Sequence, residues 1–233
     1  MRLNLYCFEC KNGTSVNVDV NDEGYYMGAC PKGHALRYLC DQPLFEILFE
    51  IGVNAILDGY NREAVSSFAS SLERFYEYYV SVLTLKNKID PSQFENAWNS
   101  VSAQSERQLG GFIFAYLMET GRAPSLLPNL QVSFRNKVIH KGHIPSQVNA
   151  IAFGQAVLNV INPIVKDLKE NYAEQIGQLH MTNQQDIKEK FGNANAYISI
   201  VTIIHMKSDS RIEYTMEKAL EKLSAIRTEK EDR

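Results

Sequence analysis

The chain has no run of 18 uninterrupted apolar residues, so no membrane-spanning helix is expected. Its opening, Met1-Arg2-Leu3-Asn4-Leu5-Tyr6-Cys7, lacks the apolar core and small-residue cleavage site of a secretory signal, and a cytoplasmic location is expected. There is no internal repeat. Excess charge is missing too: 24 basic and 27 acidic residues leave a net charge of −3, which argues against a surface coated in cations. Nucleic acid would have to be met by a local patch. Beyond residue 40 there is no cysteine at all. What remains, 45% hydrophobic and 22% charged over 233 residues, is the composition of a soluble globular protein of one or two domains.

The four cysteines crowd into the first forty residues, which is not how buried core cysteines scatter. Cys7-Phe8-Glu9-Cys10 is one Cys-x-x-Cys knuckle, and Cys30-Pro31-Lys32-Gly33-His34 supplies a second pair of ligands. Thiolate and imidazole in two knuckles suit a tetrahedral structural zinc site. His34 is the expected fourth ligand beside Cys7, Cys10 and Cys30, with Cys40 as the alternative. Disulfides do not fit a cytoplasmic chain, and no βαβ pattern follows to support a redox pair. Between the knuckles Val16, Val18 and Val20 alternate with polar residues as a half-exposed strand does. Asn21-Asp22-Glu23-Gly24 is turn chemistry, and Tyr25-Tyr26-Met27 reads as the returning strand. Residues 1–40 are therefore expected to form a small β zinc ribbon that needs its one metal to fold.

From residue 41 the alternation gives way to helical period. Leu44, Ile47, Leu48, Ile51, Ala55 and Ile56 share one face, with Pro43 near the start. Asn61 can cap the next helix, whose stripe runs from Val65 through Phe68, Leu72, Phe75 and Tyr79 to Leu83. Asp90-Pro91-Ser92-Gln93 is a helix start with N-cap, N1 proline and N3 glutamine. Gly111 to Met118 is apolar almost throughout and is expected to be central. A helix over roughly 129–141 follows, and Ser146 caps a strongly amphipathic one that contains Pro163. Residues 41–176 thus read as a helical bundle.

In the 129–141 helix, Leu127, Leu130, Phe134 and Val138 fall on one stripe, while Val132, Asn136, Ile139 and His140 lie on the far side. Arg135 sits at the edge. The helix so has two contact faces, one for its own bundle and one for a partner subunit or another segment of the chain. Arg135, Lys137, His140, Lys141 and His143 form the densest basic cluster with no nearby acid. A bland alternative exists: His140 caps the helix end, Asn136 is a surface amide and Arg135 pairs with Glu73 or Glu77 across the bundle.

The stretch Phe134-Arg135-Asn136-Lys137-Val138-Ile139-His140-Lys141-Gly142, with the helices around it, resembles the HEPN superfamily, all-helical domains many of which are ribonucleases with an Arg-polar-x-x-x-His motif. The resemblance covers about residues 43–175 and not the ends. It implies metal-independent endoribonuclease activity, in which the ribose 2′-OH attacks the neighbouring phosphate. Arg135, Asn136 and His140 would be catalytic: His140 as acid or base, Arg135 against the charge of the transition state, and Asn136 orienting the imidazole or contacting phosphate. Lys137, Lys141 and His143 would bind RNA. It also implies a homodimer that packs motif helix on motif helix into one composite site, and a toxin or antiviral defence role with an antitoxin or regulatory protein as further partner. No membrane partner is expected. A non-catalytic RNA-binding, nucleotide-binding or protein-interaction module is the alternative.

After Gly177 the chain turns polar, then Tyr197 to Ile204 reads as a strand rich in β-branched residues. A last helix carries Ile212, Met216, Ala219, Leu223 and Ile226. The expected fold class is mainly α: a HEPN-like bundle (41–176) preceded by the ribbon (1–40) and followed by a strand–helix extension (177–233).

Overall fold

A computed structural model describes residues 1–10, 14–200, 202–207 and 215–231, with side chains as far as 227. It is mainly helical, with a small N-terminal β region and a short strand and a helix near the C-terminus, as expected. The chain divides into two compact units, residues 1–43 with 177–201 and residues 44–176 with 202–233.

In the first unit, β1 (Arg2–Tyr6) and β2 (Ser15–Asp19) pair antiparallel with Leu3 opposite Val18 and Leu5 opposite Val16. A second sheet joins β3 (Tyr25–Ala29) antiparallel to β4 (Ala35–Leu39). The turn into β3 is built by Asn21, whose Oδ1 accepts the Gly24 N–H while its Nδ2 donates to Tyr25 O. Gly24 has φ +66°, and a Cβ there would lie 2.3 Å from Cys40 O, so only glycine fits. From Gly177 onward the same unit continues along α7 (Ala173–Phe191), whose Ile187 packs with Tyr25 and Leu39 and whose Phe191 stacks on Tyr25.

Among the described residues, the strand expected over Tyr197 to Ile204 is reduced to β5 (Ala196–Tyr197), parallel to β4. Its partner runs out: β4 ends at Leu39, and Pro43 leads into a helix. Ile200 pairs instead with the side-chain amide of Gln42, which accepts its N–H at 2.8 Å and donates to its carbonyl at 3.0 Å. Val201 lies outside the described residues, as does Ile212 of the expected last helix.

In the second unit, α1 (Leu44–Leu57) and α2 (Asn61–Lys86) form a hairpin. The inner face of α1 is Phe45, Phe49, Val53 and Ile56, rotated by about one residue from the expected stripe. Phe68 of α2 slots between glycines: a Cβ on Gly52 or on Gly154 of α6 (Gln147–Asn171) would lie 2.5 and 2.8 Å from its ring. Asn61 is the first helical residue of α2 and not its cap. Asp90 and Ser146 do cap α3 (Pro91–Val101) and α6 by accepting the N–H groups of Ser92 and Asn149. By length and composition α6 could span a membrane, yet half of its most apolar window is buried within the protein, as in a core helix.

α4 (Ser105–Thr120) is less central than its apolar sequence suggests. Phe112 is buried against Tyr76 and Tyr79, while Phe114 and Met118 are 65% and 81% exposed, because α2 covers one side only. On α5 (Asn129–Lys141) the inner face runs through Phe134, Arg135 and Val138; Leu130, in the first turn, projects out of the bundle.

Two carboxylates on α1 are buried. Glu46 accepts the Met206 N–H at 2.7 Å and the Thr202 hydroxyl at 3.3 Å, and Glu50 accepts the Ile203 N–H at 3.1 Å. They supply the backbone partners that a strand over 202–206 would have taken. Burial raises the Glu50 carboxyl to about 7, only partly offset by the Ile203 N–H and the positive charge of Lys222. The folded protein therefore holds this proton where the unfolded chain, titrating near 4.5, has lost it. The resulting stabilisation is complete below pH 4.5 and is lost as pH rises through 7, an effect of about 3 kcal/mol. Urea denaturation at pH 5 and pH 8 should show wild type losing more stability than Glu50→Gln across that interval, with the variant the more stable of the two at pH 8. Equal losses would place the titration elsewhere.

Candidate functional site

The two knuckles of the first unit converge. Cys7 follows β1, and its N–H donates to Thr14 O; Cys30 follows β3, and a tight turn with Gly33 at φ +86° carries the chain to His34 before β4. The ligand atoms of Cys7, Cys10, Cys30 and His34 all lie within 4.8 Å of one another. Cys10 Sγ is 3.7 Å from Cys30 Sγ, and His34 Nδ1 is 3.3, 3.4 and 3.6 Å from the sulfurs of Cys10, Cys30 and Cys7. A tetrahedral ion bonded at about 2.3 Å to sulfur and about 2.0 Å to nitrogen requires sulfur–sulfur edges of roughly 3.8 Å and sulfur–nitrogen edges of roughly 3.5 Å. The four residues therefore present the donor set and the spacing of a metal centre. Cys40, buried with its sulfur 3.8 Å from Gln42 Oε1, lies outside this group.

The electrostatics favour a thiolate at Cys30. Burial pushes its thiol up, but hydrogen bonds from the backbone N–H groups of His34 and Lys32 and from the Cys10 and Cys7 side chains together bring it down to about 6. Cys10 goes the other way, raised chiefly by burial. Nδ1 of His34 faces the sulfurs, and Nε2 lies 3.6 Å from Glu9 Oε2, a carboxylate placed inside the first knuckle. A metal-binding histidine commonly turns its other nitrogen to such a group, which fixes the ring and strengthens the donor. The sequence carried this signal in the Cys-x-x-Cys spacer itself.

The second candidate is α5, which Gly142 ends at φ +67° by donating its N–H to Lys137 O. Val138 is fully buried, and Phe134 packs on Phe153 of α6. Arg135 points inward, 17% exposed: Nη2 donates to Glu73 Oε1 of α2 at 2.5 Å and to Ser105 Oγ of α4 at 3.3 Å, and Nη1 donates to Asn136 Oδ1 at 3.1 Å. Arg135 and Asn136 are thus brought together. Lys137, His140 and Lys141 are exposed on the outer side, and His143 packs edge-on against Phe134. Five residues of helix turn His140 about 140° from Arg135, so the two diverge. The Glu73 ion pair is the bundle contact that the bland reading foresaw; Ser105, thirty residues away, gave no sign in the sequence.

The centre predicts one bound metal per chain, measured by elemental analysis of the purified protein. Chelation, or Cys10→Ala, should abolish amide-exchange protection in β1–β4. Glu9→Ala should keep the fold and weaken metal affinity about 10- to 100-fold; an unchanged affinity would detach Glu9 from the centre.

Set against family models, curated proteins and solved structures, the chain shows no match.

Proposed function

We propose that the helical unit is a metal-independent endoribonuclease of HEPN type and that Cys7, Cys10, Cys30 and His34 hold a structural zinc ion. The observation that carries the first reading is the make-up of α5: a guanidinium fixed by three side chains, followed five residues later by a solvent-exposed imidazole between two exposed lysines. Lys137 and Lys141 would draw in the RNA backbone. His140 would take the 2′-OH proton or protonate the leaving oxygen, and Arg135 would balance the charge of the pentacoordinate transition state. Because Arg135 and His140 leave the helix in different directions, a second copy facing the first supplies the missing half of the site more readily than a single chain does. Val132, 39% exposed, is an apolar side chain on the same side of the helix as His140. Uncontrolled RNA cleavage harms its own cell, so a toxin or antiviral effector in the cytoplasm, restrained by an antitoxin or regulatory protein, is the biology that fits.

The zinc reading rests on the three-sulfur, one-nitrogen donor set and its edges. All four positions are protein ligands, as in structural sites, leaving none for a substrate.

A specific observation also favours a non-catalytic module that binds RNA without cutting it: Arg135 is already engaged by Glu73. Incubating full-length protein with RNA in chelator decides between them. Wild type should cleave, and His140→Ala should lose at least about 100-fold of that rate while still binding RNA. Binding without cleavage by wild type would establish the module instead, and neither binding nor cleavage would end both readings.

A further inference from the structure

A guanidinium can grip a phosphate along either of two two-pronged edges, Nη1 with Nη2 or Nε with Nη2. Both edges use Nη2. In Arg135 that nitrogen carries two hydrogens and donates twice, to Glu73 Oε1 at 2.5 Å and to Ser105 Oγ at 3.3 Å. Nη1 is engaged as well, by Asn136 Oδ1. Neither edge is free to take a phosphate as the side chain stands. The carboxylate also cancels the positive charge locally, and with the two side chains 17% and 26% exposed, water screens the pair only in part.

We infer that Glu73 is an internal competitor for Arg135, which a substrate phosphate has to displace before the site can engage. The inference rests on the reading of Arg135 as a phosphate contact. Three features of the pair suit this role. The competitor is itself an anion, so its Oε1 takes from Nη2 the charge-assisted hydrogen bond that a phosphate oxygen would take. It comes from α2, whereas Asn136 and Ser105 come from α5 and the start of α4, so losing Glu73 leaves the arginine still held on two sides. The remaining cations of the cluster, Lys137 and Lys141, are exposed and can attract the RNA backbone first. RNA would then be sampled weakly by the outer surface, and Arg135 would join only when a phosphate arrives in register to replace the carboxylate.

The test measures affinity of the full chain for a short single-stranded RNA, with His140→Ala in every variant so that nothing is cut. Glu73→Gln keeps an oxygen to accept from Nη2 and removes the charge, and it should bind RNA about tenfold tighter than its parent. Adding Arg135→Ala should erase that gain. Glu95→Gln, the same charge change at an exposed position on α3, should give no comparable gain. Equal affinity for Glu73→Gln and its parent, or an equal gain from Glu95→Gln, overturns the inference. Should Glu73→Gln fail to melt cooperatively, Glu73→Asp, which withdraws the carboxylate by one methylene, takes its place: tighter binding supports the competitor and unchanged binding overturns it. If no variant binds RNA, the nuclease reading fails by itself, and inorganic phosphate becomes the probe. Phosphate perturbing the Arg135 Nε resonance in Glu73→Gln but not in its parent still supports the competitor; perturbation in neither overturns it too.

Discussion

The helical unit is organised by the need to bury α2 on more than one side. A helix with Phe68, Phe75, Tyr79 and Val82 fully inside cannot be satisfied by a single neighbour. α1 and α6 close on it where Gly52 and Gly154 leave room for the Phe68 ring, and Phe112 of α4 covers Tyr76 and Tyr79 farther along. α5 takes what is left of the surface, which includes Glu73. A carboxylate on an otherwise occupied helix needs a counter-charge, and Arg135 supplies it from the inner edge of α5. Packing thus turns one side of α5 toward Glu73 and leaves the side that carries His140 to solvent.

Burial has consequences for the charge in that region. Tyr76 lies among the same groups, and its hydroxyl is pushed upward mainly by burial, further by the Glu73 charge, and is eased by Arg135. The buried carboxylates of α1, Glu46 and Glu50, accept backbone N–H groups, those of Met206 and Ile203. One helical unit therefore uses two solutions to the same cost, an ion pair beside the proposed site and amide donors on the opposite end of the hairpin's sequence.

Features set by short-range chemistry could be read from the residues alone. The knuckles are local, since ligand type and spacing are enough to close a loop on a metal, and Asp90 and Ser146 cap because capping needs only the next three residues. Helical period located α2 and α6 well, because both bury broad stripes. It misled at Leu130, Phe114, Leu117 and Met118, where apolar residues face outward and periodicity cannot say which neighbour is present. The β-branched run after Tyr197 looked like a strand for good local reasons, yet a strand needs an edge to pair with, and the edge ends at Leu39. Glu46 and Glu50 were invisible for a related reason: a glutamate on a helix reads as surface until the segment it satisfies, more than 150 residues away, is in place.

The pairing of Gln42 with Ile200 has a consequence for the order in which the protein is made. The first unit is discontinuous, so its opening forty-three residues leave the ribosome long before residues 177–201 that complete it. At ordinary translation speeds the intervening stretch takes roughly 7–27 s to emerge. For that interval the β4 edge and the packing of Leu39 with Ile187 stay incomplete, whereas Cys7, Cys10, Cys30 and His34 all lie within the opening residues, so a metal held by them would tie the two hairpins together before their late partner arrives.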